Sequence, residues 1–150
     1  MRGTPYILLA VLAVLVGGCA RPSMVGKWEG TYSKEQGLGF EGGFVTDYRA
    51  DGTFITTSSI TVNGKPLSLV EKGTWEVRKD GARQTLAARS ESLTVGDRVI
   101  KPPSDGPLTG EIRFKGNAVT WLVNADGRTE SVTMTRVGAA GKATEGPPAQ

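Results

Sequence analysis

TFITTSSITVNGKPLSLVEKGTWEVR, residues 53–78, carries the strongest structural signal in this 150-residue chain. Phe54, Ile60 and Val62 fall on alternate positions before Asn63-Gly64, and Leu67, Leu69, Trp75 and Val77 do so after it. Asn-Gly tolerates the positive φ angles of a two-residue hairpin turn, and a period of two puts these apolar side chains on one face of a strand pair. Pairing through that turn sets Ile60 opposite Leu67 and Thr56 opposite Glu71. The same pattern recurs along the chain. Asp51-Gly52, Asp80-Gly81, Lys115-Gly116-Asn117 and Asp126-Gly127 each separate two alternating runs, with no helical stretch between them.

The spacing predicts an all-β fold of eight strands, at 25–33, 43–50, 53–62, 66–78, 83–90, 108–115, 118–124 and 128–137. One face carries the bulky residues, Trp28, Tyr32, Phe44, Tyr48, Leu86, Ile112, Phe114, Val119, Trp121, Val123, Val132 and Met134 among them. The other carries Lys27, Glu29, Asp47, Arg49, Arg78, Glu111, Arg113 and many threonines. Eight sequential hairpins with one apolar face close most simply into an antiparallel up-and-down barrel, which leaves no exposed sheet edge. A membrane-spanning barrel would turn its apolar side outward between aromatic girdles. The charged outer face argues against that.

Nine aromatic residues follow position 18, and eight of them hold inward positions; Phe40 is placed in a loop. An eight-strand barrel has room either for its own side chains or for one small ligand, and this aromatic load favours a filled core. Thr46, Thr56, Ser58, Glu71 and Ser90 are polar residues with inward parity. A carboxylate inside a barrel is costly unless paired or hydrated. Glu71 therefore either lines a small wet pocket or is turned outward by a bulge near Gly73, and the bulge is the preferred reading. If the interior does hold a ligand, Tyr32, Phe44, Tyr48, Thr56, Ser58, Glu71 and Trp121 are the candidate wall.

The loops differ between the two ends. The turns at 51–52, 79–82 and 116–117 are tight, and strand one starts at that end. Two long connections, 34–42 and 91–107, stand at the other, the first rich in glycine and the second in proline. Long loops on a rigid frame are where binding is usually built.

Composition excludes several chemistries. The chain has no histidine, which removes the commonest general base and metal ligand. Its single cysteine, Cys19, leaves no pair for a disulfide. Neither Asp51-Gly52 nor Asp126-Gly127 has the acidic spacing of a calcium loop. No catalytic residues, metal or cofactor are expected, and a hydrolase would need a carboxylate pair that no motif marks. Beyond position 18 there are 17 basic and 15 acidic residues, interspersed, so nucleic acid is not an expected partner.

The N-terminus reads as a targeting segment. Arg2 precedes an apolar run of ten residues from Ile7 to Val16, too short for the about 20 that a spanning helix needs. Val16-Gly17-Gly18-Cys19 resembles the bacterial lipobox. That resemblance implies a signal peptide over 1–18, acylation of Cys19, a lipidated tether over 19–24, the domain over 25–137 and a disordered tail over 138–150. Ala20 after the cysteine, by the sorting rule of such lipoproteins, implies the periplasmic side of the outer membrane, with the membrane as partner through the lipid.

Gly26-Lys27-Trp28 is similar to the Gly-x-Trp of the first lipocalin strand. Gly73-Thr74-Trp75 and the run Arg49 to Phe54 resemble short lipocalin-like bacterial lipoproteins. In that pattern an arginine at the end of the last strand covers the first tryptophan; Arg136 either does so over Trp28 or frays at the surface. Trp28, Arg136 and Trp75 are then structural. The resemblance implies a lipocalin-like, non-enzymatic binding module for a small hydrophobic or amphipathic ligand. The alternative is an envelope interaction protein, an inhibitor or assembly accessory, with a filled barrel acting through 34–42 and 91–107.

Overall fold

The computed structural model describes residues 22–32, 39–102, 106–125 and 127–138. The expectations for 1–18, for Cys19 and for the tail from 139 onward lie outside them. Nine strands appear: β1 (Gly26–Tyr32), β2 (Phe40–Tyr48), β3 (Thr53–Val62), β4 (Lys65–Asp80), β5 (Arg83–Val95), β6 (Arg98–Ile100), β7 (Leu108–Lys115), β8 (Ala118–Ala125) and β9 (Arg128–Arg136). They pair antiparallel in the order β4-β3-β2-β1-β9-β8-β7-β5-β6, and β4 also pairs with β5. Eight strands thus close an up-and-down barrel. The ninth, β6, is an appendage at its mouth.

The founding hairpin has the register read from its sequence, with Ile60 opposite Leu67 and Thr56 opposite Glu71. Asn63 takes φ 50° and Gly64 φ 75°, the paired positive angles this turn requires. Alternation holds around the cylinder. Trp28, Leu86, Val119 and Met134 are the largest fully buried side chains, each contributing about 1.5–3 kcal/mol by leaving water. Charges on the outer face pair locally, as Arg113 does with Glu111 at 2.9 Å. Exposed pairs of this kind add little to stability.

Two departures from the sequence reading have physical causes. Phe40 is not in a loop: it begins β2 and meets Tyr32 edge-on, ring centroids 5.3 Å apart. Gly39, Gly42 and Gly43 disguise this start, yet Gly42 belongs there, because a side chain at that position would run into the Ser59 carbonyl of β3. The segment 91–107 is likewise not one long loop. β5 continues to Val95 and turns at Gly96 into β6. β7 pairs along one edge of β5 at Gln84–Ala88, and β6 takes the upper part of the same edge at Leu93–Val95.

A bulge does occur near Gly73, between Lys72 and Gly73 in the β4–β5 ladder. Its extra residue is Glu91 on β5: Lys72 pairs with Ser92 and Gly73 with Ser90. The alternation of β4 is therefore uninterrupted, and Glu71 is not turned outward. What changes is β5, whose parity shifts by one so that Leu93 and Val95 sit across from Glu71 and Leu69 on the inner face.

Candidate functional site

The tight-turn end of the barrel is sealed by three residues read as structural. Trp28 donates its indole N–H to the Met24 carbonyl at 2.8 Å, and Arg136 lies over the Trp28 ring, 4.3 Å from its centroid. Strands β1 and β9 pair these two residues directly, which closes the cylinder. The Arg136 guanidinium also donates to the carbonyls of Val25 (3.0 Å) and Ser23 (2.8 Å). The lead-in segment is thus part of the floor, with Met24 buried in the core. Nearby, Trp75 donates to the Thr53 carbonyl at 2.9 Å and packs edge-on against Tyr48 at 5.4 Å.

Above this floor the barrel is hollow. The filled core expected from the aromatic load holds only for the lower layers, around Trp28, Leu86, Ile112 and Val119. A cavity of about 260 Å³ opens between them and the mouth. That is room for about nine molecules of water at liquid density. Six of the seven candidate wall residues line it: Tyr32, Phe44, Tyr48, Thr56, Glu71 and Trp121. Ser58 does not; it is buried beside Tyr32, where its hydroxyl works against the rise that burial imposes on the phenol pKa.

The sequence reading missed part of the wall. Val123, Glu130, Val132 and Met134 add a side from β8 and β9, and Ala88, Ser90 and Leu108 one from β5 and β7. Glu130 shares parity with Val132 and Met134, so its inward aim was available from alternation. The void itself was not. Gly30 has no side chain, and the Phe44 ring of the wall occupies its place: a Cβ there would stand 2.5 Å from the ring. Phe44 packs against Tyr32, ring centroids 4.8 Å apart and planes tilted by 33°.

The polar groups of the cavity are unevenly satisfied. Thr46 and Thr56 bond each other through their hydroxyls at 2.7 Å. Among the described residues, two buried side-chain atoms have no hydrogen-bond partner, Trp121 Nε1 and Ser90 Oγ, and both residues line this cavity. The three tryptophans thus differ in kind. Trp28 and Trp75 spend their N–H on backbone carbonyls of the floor, whereas Trp121, nine-tenths buried, aims its own at nothing. A buried donor left unpaired costs about 1–3 kcal/mol.

No protein-family model matches this chain, and a search of curated proteins finds no match. The site is therefore read from its own geometry.

Glu71 is the deepest charge in the wall. Burial raises its pKa above the ordinary carboxylate value; Ser90 is close enough to oppose this in part, without the geometry of a hydrogen bond. Tyr48 is pushed well up by burial and then by the Glu71 and Tyr32 charges, and Tyr32 is raised chiefly by burial. Both phenols stay protonated across the physiological range. Of the described residues lining the cavity, Glu71 and Glu130 are the only charged ones, and no lysine or arginine joins them. A second hollow lies outside the barrel over Gly30 and Gly43, walled by Thr31, Thr57 and Thr133. It holds no unsatisfied buried group.

Proposed function

We propose that this chain is a non-enzymatic, lipocalin-like binding module, anchored by lipid on Cys19 to the periplasmic face of the outer membrane, that takes a small amphipathic ligand into the barrel. The observation that carries the reading is the Trp121 indole N–H, buried and unpaired in an aromatic cavity. Ligand sites are commonly mostly apolar hollows with a few placed polar groups. A bound acceptor atom would satisfy Trp121 and a second polar atom Ser90. The cation–π contact of Arg136 over Trp28 supports the lipocalin likeness. Both β1 and its lead-in start at the floor, so an anchor at Cys19 holds the floor toward the membrane and the mouth away from it.

Native mass spectrometry of the purified protein should reveal a bound small molecule that is lost in Trp121→Phe. A barrel that stays empty, and that no small amphiphile perturbs, would overturn the reading. The anchor has its own check: Cys19→Ser should move the protein from the membrane fraction to the soluble periplasmic one.

One observation favours the other reading, an envelope interaction protein acting through 34–42 and 91–107. Within the second segment, β6 exposes Val99 (73%) and Ile100 (44%), and among the described residues it pairs with β5 alone. Retention of a partner protein that depends on Val99 and not on Trp121 would support that reading.

A further inference from the structure

The binding-module reading leaves the chemistry of the ligand open, and the cavity wall narrows it. Its charges are of one sign. Glu71 lies deep on β4 and Glu130 stands at the exposed rim on β9, with no basic side chain among the described lining residues. An ionised carboxylate in such a place is costly unless a cation or water compensates it. Among the described residues Glu71 makes no ion pair. Around it stand Tyr32, Phe44, Tyr48 and Trp121, and faces of such rings attract cations by about 0.5–2 kcal/mol each, more when water is excluded.

We propose that the cavity accepts an organic cation: a compact amine or quaternary ammonium head against Glu71 among these rings, on a short apolar body whose oxygen accepts the Trp121 N–H. This rests on the binding-module reading and adds the ligand's charge to it. An anionic ligand would meet two carboxylates and no counter-charge. A neutral one would satisfy Trp121 and leave Glu71 uncompensated.

The pairing predicts its own pH dependence. The groups facing Glu71 are Thr56 on β3, Ser90 on β5, Tyr32 on β1, Tyr48 on β2 and, across the cavity, Glu130 on β9. The hydroxyls do not titrate in acid, and both phenols are raised, so the pH dependence follows Glu71. Bound positive charge favours the ionised form of Glu71, so binding expels a proton wherever Glu71 is protonated. Affinity for a cation therefore rises with pH through the titration of Glu71 and levels off above it. A neutral ligand shows no such trend.

The test is calorimetric titration of the full-length protein with three probes: benzyltrimethylammonium, its uncharged isostere neopentylbenzene, and 3-phenylpropionate. Expected at neutral pH is a preference for the cation over the isostere of about tenfold or more. That preference should shrink in acid, disappear in Glu71→Gln and survive Glu130→Gln, while the neutral probe's affinity stays unchanged throughout. If Glu71→Gln fails to fold, the pH series on the unaltered protein decides alone. Equal or tighter binding of the neutral or anionic probe, independent of pH, overturns the cation inference and leaves a binding module standing. Binding of none of the three overturns both.

Discussion

Glu71 stands where alternation places it, opposite Thr56, and its consequences run beyond the cavity. Its folded pKa is raised by burial above the unfolded value. Between those two values the folded protein binds more protons than the unfolded chain, so this residue's contribution to stability falls as pH rises. Above the folded pKa a constant penalty remains. Glu71→Gln removes the term, and the variant should gain stability over the original as pH rises from about 4.5, the unperturbed value. Comparing thermal melts of the two proteins across pH isolates this effect, since lowered carboxylates such as Glu111 are common to both. The inward parity of Glu71 was readable in the sequence, but the preferred reading turned it outward at a bulge, and the bulge absorbs a residue of β5 instead. The unpaired state of Trp121 was not readable, because whether a buried N–H finds a carbonyl depends on strands far apart in the chain.

The extra residue in β5 explains why the barrel was legible and its mouth was not. Thr53 to Val62 and Leu108 to Lys115 alternate cleanly, and their strands lie where the period of two put them. In β5 the period breaks: Leu86, Ala88 and Ser90 face in, and the next inward residue is Leu93, three positions on. With prolines following, the interruption looks like the end of a strand. In space the bulge merely rephases it, and Gly96 with Asp97 turns the chain into β6. Deleting Glu91 should remove the bulge and leave Leu93 and Val95 inside, whereas inserting one residue between Ser92 and Leu93 should drive both to the outside, since a one-residue slip exchanges faces. The expected outcome of the insertion is a protein that binds a hydrophobic dye and loses solubility, measured against the Glu91 deletion, which keeps both residues inside.

Closure of the whole cylinder rests on a short seam. β1 and β9 pair through only Trp28–Arg136 and Glu29–Thr135, with a further bond from the Val137 amide to the Lys27 carbonyl at 2.9 Å. The lead-in residues reinforce it: Met24 is 2% exposed, and Ser23 and Val25 supply the carbonyls that hold Arg136. A chain starting at Gly26 loses the Met24 side chain, worth about 2–5 kcal/mol when a buried methionine is truncated, and both acceptors of the guanidinium. Denaturant unfolding should show a loss at the upper end of that range, concentrated in the β1–β9 seam by hydrogen exchange. That strand one meets strand eight of the sequence reading was foreseeable from parity and closure. That the segment before it plugs the floor was not, since Met24 belongs to no alternating run.

The described chain begins at Pro22 and finishes at Gly138, and both of these points emerge at the pole braced by Arg136. Anything joined directly before Pro22 or after Gly138, whether a membrane, a fused reporter or a solid support, is carried at that pole. The opposite pole is then left unshaded by either attachment, so immobilisation at either of these two points leaves access to the interior open.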